Sequence, residues 1–226
     1  MHVGNARYLG PKDLPEIIPV FPLTGALLLP GAQLPLNIFE PRYLAMLDDA
    51  LSGNRLIGIV QPSFCEGRSE TATGPMQALC EVGCIGRITS FAETGDGRYI
   101  VSLTGVCRYR LLEELRGDRS YRSFHIAPFI ADLLGRDDEQ SVDREALLAA
   151  FKAYLDANKL EADWESVERA SNTTLVNSMA MMSPYGPAEK QALLEAPDLK
   201  TRAETLIAIT EIVLARSYGD VDTMLQ

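Results

Sequence analysis

Residues that carry metal and acid–base chemistry are scarce in this chain. Among its 226 residues are two histidines, His2 and His125, and four cysteines. Cys80 and Cys84 lie in a strand-like segment, where four residues span about 13 Å, whereas thiolates that share a zinc ion lie roughly 4 Å apart. We therefore predict no metal site, buried structural thiols, and a hydrogen-bonded strand histidine at position 125 rather than a general base.

Several catalytic and cofactor-binding motifs are also missing. The sequence has no Gly-Lys pair, which a phosphate-binding loop requires, no Gly-rich dinucleotide fingerprint and no Gly-x-Ser-x-Gly elbow. Paired carboxylates such as Asp48-Asp49 are adjacent in the sequence, so their side chains point apart and are expected to be solvated. These absences predict a protein without a cofactor and without enzymatic activity.

Long apolar runs and an excess of positive charge are absent as well. No window approaches 18 uninterrupted apolar residues, and residues 1–5 do not have the pattern of a signal peptide. We therefore expect a cytoplasmic protein with reduced thiols and no membrane partner. The net charge of −10 and the pI near 4.7 also argue against non-specific binding to nucleic acid.

The negative charge is concentrated in the second part of the chain. Residues 1–136 contain 13 basic and 14 acidic side chains, whereas residues 137–226 contain 8 and 17. Twelve of the 13 basic residues in the first part are arginines. An arginine-based recognition face is therefore compatible with the composition of this part.

The most apolar stretch, Ile17–Leu47, contains prolines at positions 19, 22, 30, 35 and 41. Because proline removes an N–H donor, strands that contain it lie at edges, bulges or strand ends. We predict short, kinked strands that curl a sheet. Pro41 is typical of a first helical turn, and the helical spacing that follows predicts a helix that ends near Gly53.

Strand signals continue to about residue 133. Residues 63–78 are polar and predict a surface loop, and Glu93–Arg98 has the composition of a hairpin turn. Gly83 and Gly86 indicate bulges or a close approach of two backbones. The predicted strands are Arg55–Val60, Leu79–Phe91, Tyr99–Leu112 and Tyr121–Leu133, the last with Pro128 at an edge or an end. Residues 1–135 thus predict a highly curved β-sheet or small barrel with one early helix.

After a polar boundary at 135–140, the apolar period becomes 3.6 residues. We predict helices over 142–157, from Asp163 to before Pro184, from Pro187 to near Pro197, and over Leu199–Arg216. The prediction is therefore an α+β protein, in which residues 1–135 form a β-module and residues 136–226 form an α-helical bundle.

Three segments, in this order and spacing, resemble the N-terminal domain of the Lon ATP-dependent protease. They are residues 18–44, Glu81–Ile88 and Asp96–Tyr109. The resemblance covers roughly residues 17–130. The chain also resembles small stand-alone bacterial proteins made only of this domain. It implies a PUA-like β-module (a curved pseudo-barrel) followed by a helical bundle. It also implies a role in engaging substrate proteins.

Protease activity is not part of that expectation. The phosphate-binding loop is missing, and a proline-containing turn separates Ser178 from Lys190, with no motif connecting them. We predict a non-enzymatic domain that binds exposed apolar segments of unfolded or extended polypeptides. Such a segment would either add to an open sheet edge or occupy a groove between sheet and helices.

Two groups of residues are candidates for binding. Glu40, Arg42, Arg87 and Arg108 are predicted either to clamp the helix start against the strands or to contact a ligand. Methionines suit adaptable surfaces, although methionines at helical spacing also pack in cores. The candidate binding residues are Phe39, Glu40, Arg42, Tyr43, Arg87, Arg108, Met179 and Met182.

An alternative is an RNA-binding module, because PUA-like folds also recognise RNA. Its face would consist of Arg87, Arg98, Arg108, Tyr109 and Arg110, and its affinity would fall steeply with salt. The acidic second part counts against it. A small-molecule-sensing adaptor has no support beyond the capacity of the fold for a pocket, and the sequence leaves the oligomeric state open.

Overall fold

The computed structural model describes residues 1–64, 77–115, 117–135 and 139–223. The chain divides into two compact units. The first unit contains Met1–Arg136 and Tyr185–Leu194, and the second contains Asp137–Pro184 and Glu195–Gln226. Most of the predicted surface loop, residues 65–76, lies outside the described residues.

Eight strands and six helices are described, numbered in chain order. The strands are β1 (His2–Val3), β2 (Ala6–Arg7), β3 (Ile17–Pro22), β4 (Gln33–Ile38), β5 (Leu56–Val60), β6 (Val82–Glu93), β7 (Tyr99–Leu115) and β8 (Ser123–Pro128). The helices are α1 (Pro41–Ser52), α2 (Arg144–Asn158), α3 (Trp164–Arg169), α4 (Asn172–Met182), α5 (Pro187–Glu195) and α6 (Leu199–Thr223). No helix in these ranges is both long and apolar enough to cross a membrane.

The main sheet of the first unit curls until it closes. Its strand order is β4-β7-β6-β5-β3-β8, and β8 pairs with β7 as well, so that five strands form a ring. The 17-residue β7 allows this closure because its first half pairs with β4 and its second half with β8. The prediction of a curved sheet or pseudo-barrel within an α+β fold is confirmed.

A tyrosine packed against two glycines fills part of the ring. Tyr109 is fully buried, and its hydroxyl donates to the Ile59 carbonyl at 3.4 Å. A Cβ added at Gly83 would lie 2.4 Å from that carbonyl oxygen and 2.6 Å from the Tyr109 hydroxyl. A Cβ added at Gly58 would lie 2.5 Å from the same hydroxyl. The predicted close approach at Gly83 is therefore confirmed, because only glycine leaves room for the tyrosine ring at these two positions.

Local signals placed the first helix and the hairpin correctly. Helix α1 begins at Pro41, ends before Gly53 and buries Tyr43, Met46, Leu47 and Ala50. The β6–β7 hairpin turns through residues 94–98, where Gly95 and Gly97 have φ of 77° and 83°. Glycine reaches such values without steric cost, which explains the strength of the turn signal.

The second unit differs from the prediction in α6, which continues to Thr223 instead of ending at Arg216, and in the second predicted helix. A single helix from Asp163 to before Pro184 was expected, and this was wrong, because α3 and α4 are separate helices. Ser171 begins α4 by accepting a hydrogen bond from the Thr174 N–H. Serine competes with the helical backbone in this way, so it favours a helix start over a helix interior.

Helix α5 belongs to the first unit, although the sequence prediction assigned it to the helical bundle. Three buried side chains hold it there. Gln191 donates to the Val82 carbonyl at 3.0 Å, and Gln61 donates to Gln191 at 3.2 Å and to the Pro187 carbonyl at 3.0 Å. Arg108 donates to the Leu194 carbonyl at 3.2 Å. These bonds satisfy polar groups that are buried beneath the helix.

Candidate functional site

The first unit has a cavity of about 170 Å³ next to the start of α1. We call it the junction pocket. Its wall includes three of the predicted binding residues, Glu40, Arg42 and Tyr43. The other lining residues are Val20, Phe21, Pro22, Leu23, Thr24, Pro62, Gln77, Ser120, Tyr121 and Arg122. Phe39, which directly precedes Glu40, has 62% of its surface exposed.

An ion pair lies at the rim of the junction pocket. Nε and Nη2 of Arg42 contact Oε2 of Glu40 at 2.9 and 2.8 Å, and the guanidinium lies 4.5 Å from the Tyr43 ring centroid. Both side chains are about 40% exposed, at 38% and 43%. Water screens such a pair, so it adds little stability and can exchange partners readily. Glu40 and Arg42, two of the four residues predicted either to clamp the helix start or to contact a ligand, thus contact each other.

Aromatic rings form the apolar part of the wall. The Tyr43 ring packs 4.1 Å from the Phe21 ring, centroid to centroid, at an angle of 42°. Burial raises the pKa of the Tyr43 phenol above its ordinary value, with the nearby Arg42 opposing that shift. The phenol is therefore neutral at physiological pH, and this wall presents aromatic carbon.

Charged side chains fix another part of the wall. Arg122 contacts both carboxylate oxygens of Glu114 at 2.6 and 2.8 Å and donates to the Gln77 carbonyl at 2.6 Å. The Tyr121 hydroxyl donates to Asp49 at 2.5 Å. Burial and this hydrogen bond raise the pKa of Tyr121 to about 12. The β8 side of the pocket is thereby tied to α1 through Asp49.

Strand β4 approaches the junction pocket with one free edge. Within the described ranges it pairs only with β7. Residues along an antiparallel strand alternate the direction of their backbone groups, and a proline in an edge strand has its nitrogen directed outward. Because the nitrogen of Pro35 points outward, the backbone N–H and C=O groups of Gln33 and Asn37 point outward as well. The free edge ends next to Phe39 and the pocket rim.

Other predicted residues lie elsewhere. Arg87 donates to the Tyr8 hydroxyl and to the Asn54 carbonyl, at 3.1 and 2.9 Å. Arg108 is buried and bound to Asp132. In the second unit, Met179 is buried, whereas Met182 is 84% exposed.

The RNA-binding face predicted as an alternative is not present in its predicted form. Arg108 and Tyr109 are only 4% and 0% exposed, so neither can contact a phosphate or stack on a base from this position. Arg110 is exposed and pairs with Glu81 at 2.7 Å. Side chains of β7 alternate between the two faces of the sheet, and this pattern predicts that Tyr109 is buried. The same pattern does not predict burial of the adjacent Arg108.

The sequence-based candidates include only three of the residues that line the junction pocket. Phe21, Tyr121 and Arg122 belong to its wall, but none of them was a candidate. Phe21 lies in the proline-rich stretch and could have been noticed there. Tyr121 and Arg122 are nearly 80 residues away from Tyr43 in the chain, and only closure of the ring brings them together.

The cysteines and acidic residues do not form a metal site in the described ranges. No group of three or more histidine, cysteine, aspartate or glutamate side chains converges there. Cys80, Cys84 and Cys107 are thiols, and the last two are buried. Burial raises the pKa of the Cys107 thiol to about 12, which suppresses its reactivity.

Comparison with known families agrees with this architecture. The family model of the ATP-dependent protease La (LON) substrate-binding domain matches residues 17–211. The chain belongs to the Lon substrate-binding domain family. The match extends beyond the sheet into α6, so the helical part is included in the Lon-type domain.

Full-length relatives are much longer than this Lon-type chain. The Lon protease of Parabacteroides distasonis is 31% identical over 221 residues, which cover 94% of this chain and 25% of the relative. Lon protease 2 of Myxococcus xanthus is 25% identical over 205 residues, which cover 88% of this chain and 24% of the relative. The chain thus spans about a quarter of the length of these relatives.

Solved structures of Lon N-terminal domains share the fold. The Lon N-terminal domain protein from Xanthomonas campestris has a TM-score of 0.60 at 22% identity and covers 85% of this chain and 97% of its own. The N-terminal domain of Mycobacterium avium complex Lon protease has a TM-score of 0.57 at 18% identity, and the match covers 86% of this chain and 98% of that domain. These likenesses establish the Lon-type α+β fold that the resemblance implied.

Proposed function

We propose that this chain is a non-catalytic protein-binding domain that holds exposed apolar segments of substrate or partner proteins at the junction pocket. The membership in a substrate-binding family supports binding of proteins as the general role. One observation supports this location: a partly aromatic pocket, the exposed Phe39 and the free edge of β4 are next to one another.

In this proposal, the β4 edge binds the backbone of an extended segment. The outward N–H groups of Gln33 and Asn37 and the carbonyl of Pro35 are its hydrogen-bonding groups. Pro35 interrupts the row of donors, which limits pairing with a second copy and leaves a short site of about five residues.

The junction pocket then accepts a side chain at the end of that segment. Its volume of about 170 Å³ suits one apolar side chain rather than a whole peptide. Phe21 and Tyr43 contribute the apolar contact, and Phe39 covers the neighbouring part of the segment. Arg42 can leave Glu40 for a carbonyl or carboxylate of the bound chain, because its ion pair is solvated.

Binding is measured by fluorescence anisotropy with labelled, permanently unfolded polypeptides. Asn37→Pro removes one outward N–H from the edge, and the loss of one hydrogen bond should weaken binding about fivefold. Asn37→Ala is the matched control, because it removes the same side chain but keeps the N–H. Phe39→Ser should weaken binding by a similar factor, whereas Leu112→Ser, at a site 58% exposed on β7, should not.

Two results would reject the proposal. One is the absence of saturable binding to every polypeptide at about 50 µM of the chain. The other is saturable binding that Phe39→Ser and Leu112→Ser weaken equally, because this would place the contact away from the junction pocket. The absence of catalysis and the cytoplasmic location remain predictions from the sequence.

A further inference from the structure

A second concavity of the first unit has a different chemical character. It has a volume of about 350 Å³ and lies between the β1–β2 hairpin and the end of α1. Three arginines line it, Arg7, Arg55 and Arg87, together with one acidic residue, Asp13. The side chains in this arginine pocket thus carry two net positive charges, in a chain whose net charge is −10.

The guanidinium of Arg87 is held in place without being neutralised. Its Nη1 donates to the Tyr8 hydroxyl at 3.1 Å and to the Asn54 carbonyl at 2.9 Å. Both acceptors are uncharged, and Tyr8 itself is buried. In the part of the chain that the structure describes, Nε and Nη2 remain available. A positioned arginine that retains its charge and its donors is suited to an oxyanion.

The one carboxylate of the arginine pocket is already occupied. Oδ2 of Asp13 accepts hydrogen bonds from the backbone N–H groups of Leu9 and Gly10, at 2.7 and 3.1 Å. Arg7 and Arg55 are exposed and form no ion pair with another described residue. Three guanidinium groups therefore line the concavity, whereas the carboxylate of Asp13 is hydrogen-bonded to the backbone.

Arg55 occupies a backbone conformation that rarely holds an arginine. Its φ is 63°, in the left-handed region that favours glycine or asparagine. Two backbone hydrogen bonds hold it there, from the Arg55 N–H to the Ala50 carbonyl and from the Ile88 N–H to the Arg55 carbonyl, both at 2.9 Å. Strained residues of this kind are concentrated at ligand-binding positions.

We propose that Arg7, Arg55 and Arg87 form a binding site for a small multivalent anion, separate from the protein-binding site. The ligand class is a small molecule with phosphate or several carboxylate groups. The volume of about 350 Å³ lies within the range of small-molecule sites. Planar guanidinium groups bind both kinds of oxyanion in a bidentate manner.

The site can be tested by isothermal titration calorimetry with sodium pyrophosphate and with sodium citrate, at constant ionic strength. We expect saturable binding of one anion per chain. Arg87→Gln should weaken it at least about tenfold, because a charge-assisted pair of hydrogen bonds is lost. Arg98→Gln is the matched control, since Arg98 is exposed and pairs with Asp96 outside this pocket.

Arg55→Gly separates binding from stability. Glycine accepts φ of 63° without strain, so the thermal midpoint should stay the same or rise while anion affinity falls. Binding of pyrophosphate alone would assign phosphate as the ligand group, and binding of both anions would assign the broader class.

No saturable heat with either anion at about 10 mM would overturn the proposal. Equal affinity of the Arg87→Gln and Arg98→Gln variants would overturn it as well. Neither result bears on the protein-binding proposal, because the anisotropy experiment uses different residues.

Discussion

Arg108 and Asp132 form a buried double ion pair within the first unit. Nη2 of Arg108 contacts Oδ1 at 2.8 Å, and Nε contacts Oδ2 at 2.9 Å. The side chains are only 5% and 8% exposed. The same guanidinium also donates to the Leu194 carbonyl at 3.2 Å, so one arginine joins β7, the turn at 130–134 and α5.

Asp132→Ala should destabilise the chain by about 3–5 kcal/mol, because it leaves a buried guanidinium without a carboxylate. Chemical denaturation followed by circular dichroism measures the loss. Glu81→Ala is the control, since it removes the partner of the exposed Arg110 and should cost at most about 1 kcal/mol. If both variants lost the same free energy of unfolding, the buried pair would contribute no more to stability than the exposed one.

Gly83→Ala should also be strongly destabilising, by about 2–3 kcal/mol or more, because its methyl group would overlap the Ile59 carbonyl and the Tyr109 ring. Gly10→Ala is the matched control. Among the described residues, nothing other than its chain neighbours lies within 4 Å of a Cβ at Gly10, and its φ of −168° is extended. The denaturation midpoint of this variant should therefore hardly change. A Gly83→Ala variant as stable as the Gly10→Ala variant would contradict this packing.

Glu139 should make the stability of the second unit depend on acidic pH. Its carboxylate accepts hydrogen bonds from the N–H groups of Asn172 and Thr173, at 2.7 and 3.1 Å, at the start of α4. Burial raises the pKa of Glu139, but these bonds outweigh it and hold the pKa below its ordinary value. A lowered pKa in the folded state means that the stabilisation is present above the unfolded-state pKa of about 4.3 and is lost as pH falls through the folded-state value.

Trp164, the single tryptophan, lies in the second unit and reports on it by fluorescence. Glu139→Gln should lower the stability at pH 7 by about 1 kcal/mol, as for other helix-cap losses. The variant should lose less of its remaining stability than the parent between pH 5 and pH 3. Parallel pH profiles of the two proteins would contradict the capping role.

Thiol reactivity should follow burial. Cys107 is fully buried with a thiol pKa raised to about 12, and Cys84 is 1% exposed, whereas Cys80 is partly exposed. Under native conditions, iodoacetamide should alkylate Cys80 and leave Cys84 and Cys107 unmodified until the chain is unfolded. Peptide mass spectrometry locates the label, and rapid native labelling of Cys107 would contradict a closed ring at β7.

Features that depend on neighbours in the sequence were predictable. Pro41 and Gly53 bound α1, the predicted hairpin turn lies at residues 94–98, and Asp163 accepts the Ser166 N–H at the start of α3. Each of these signals acts through φ preferences or hydrogen bonds within a few residues. The family resemblance rested on the same local motifs, which is why it identified the fold.

Much of the junction pocket could not be predicted in this way. Tyr43 was a candidate from its motif, whereas Tyr121 joined it only because β8 pairs with both β3 and β7. Arg108 was predicted either to clamp the start of the first helix or to contact a ligand, but it is buried, and the carboxylate of Asp132 and the Leu194 carbonyl compensate for its burial. Burial of a charge depends on a partner that no local pattern reveals.

By itself, the sequence determined the curved sheet, the position of its first helix and the family, because proline, glycine and capping residues act on the backbone next to them. Tertiary structure alone decided that α5 joins the first unit and that Arg7, Arg55 and Arg87 line one concavity. The physical reason is distance along the chain. Gln61 and Gln191 lie 130 residues apart, and a hydrogen bond of 3.2 Å joins them only once the strands have closed.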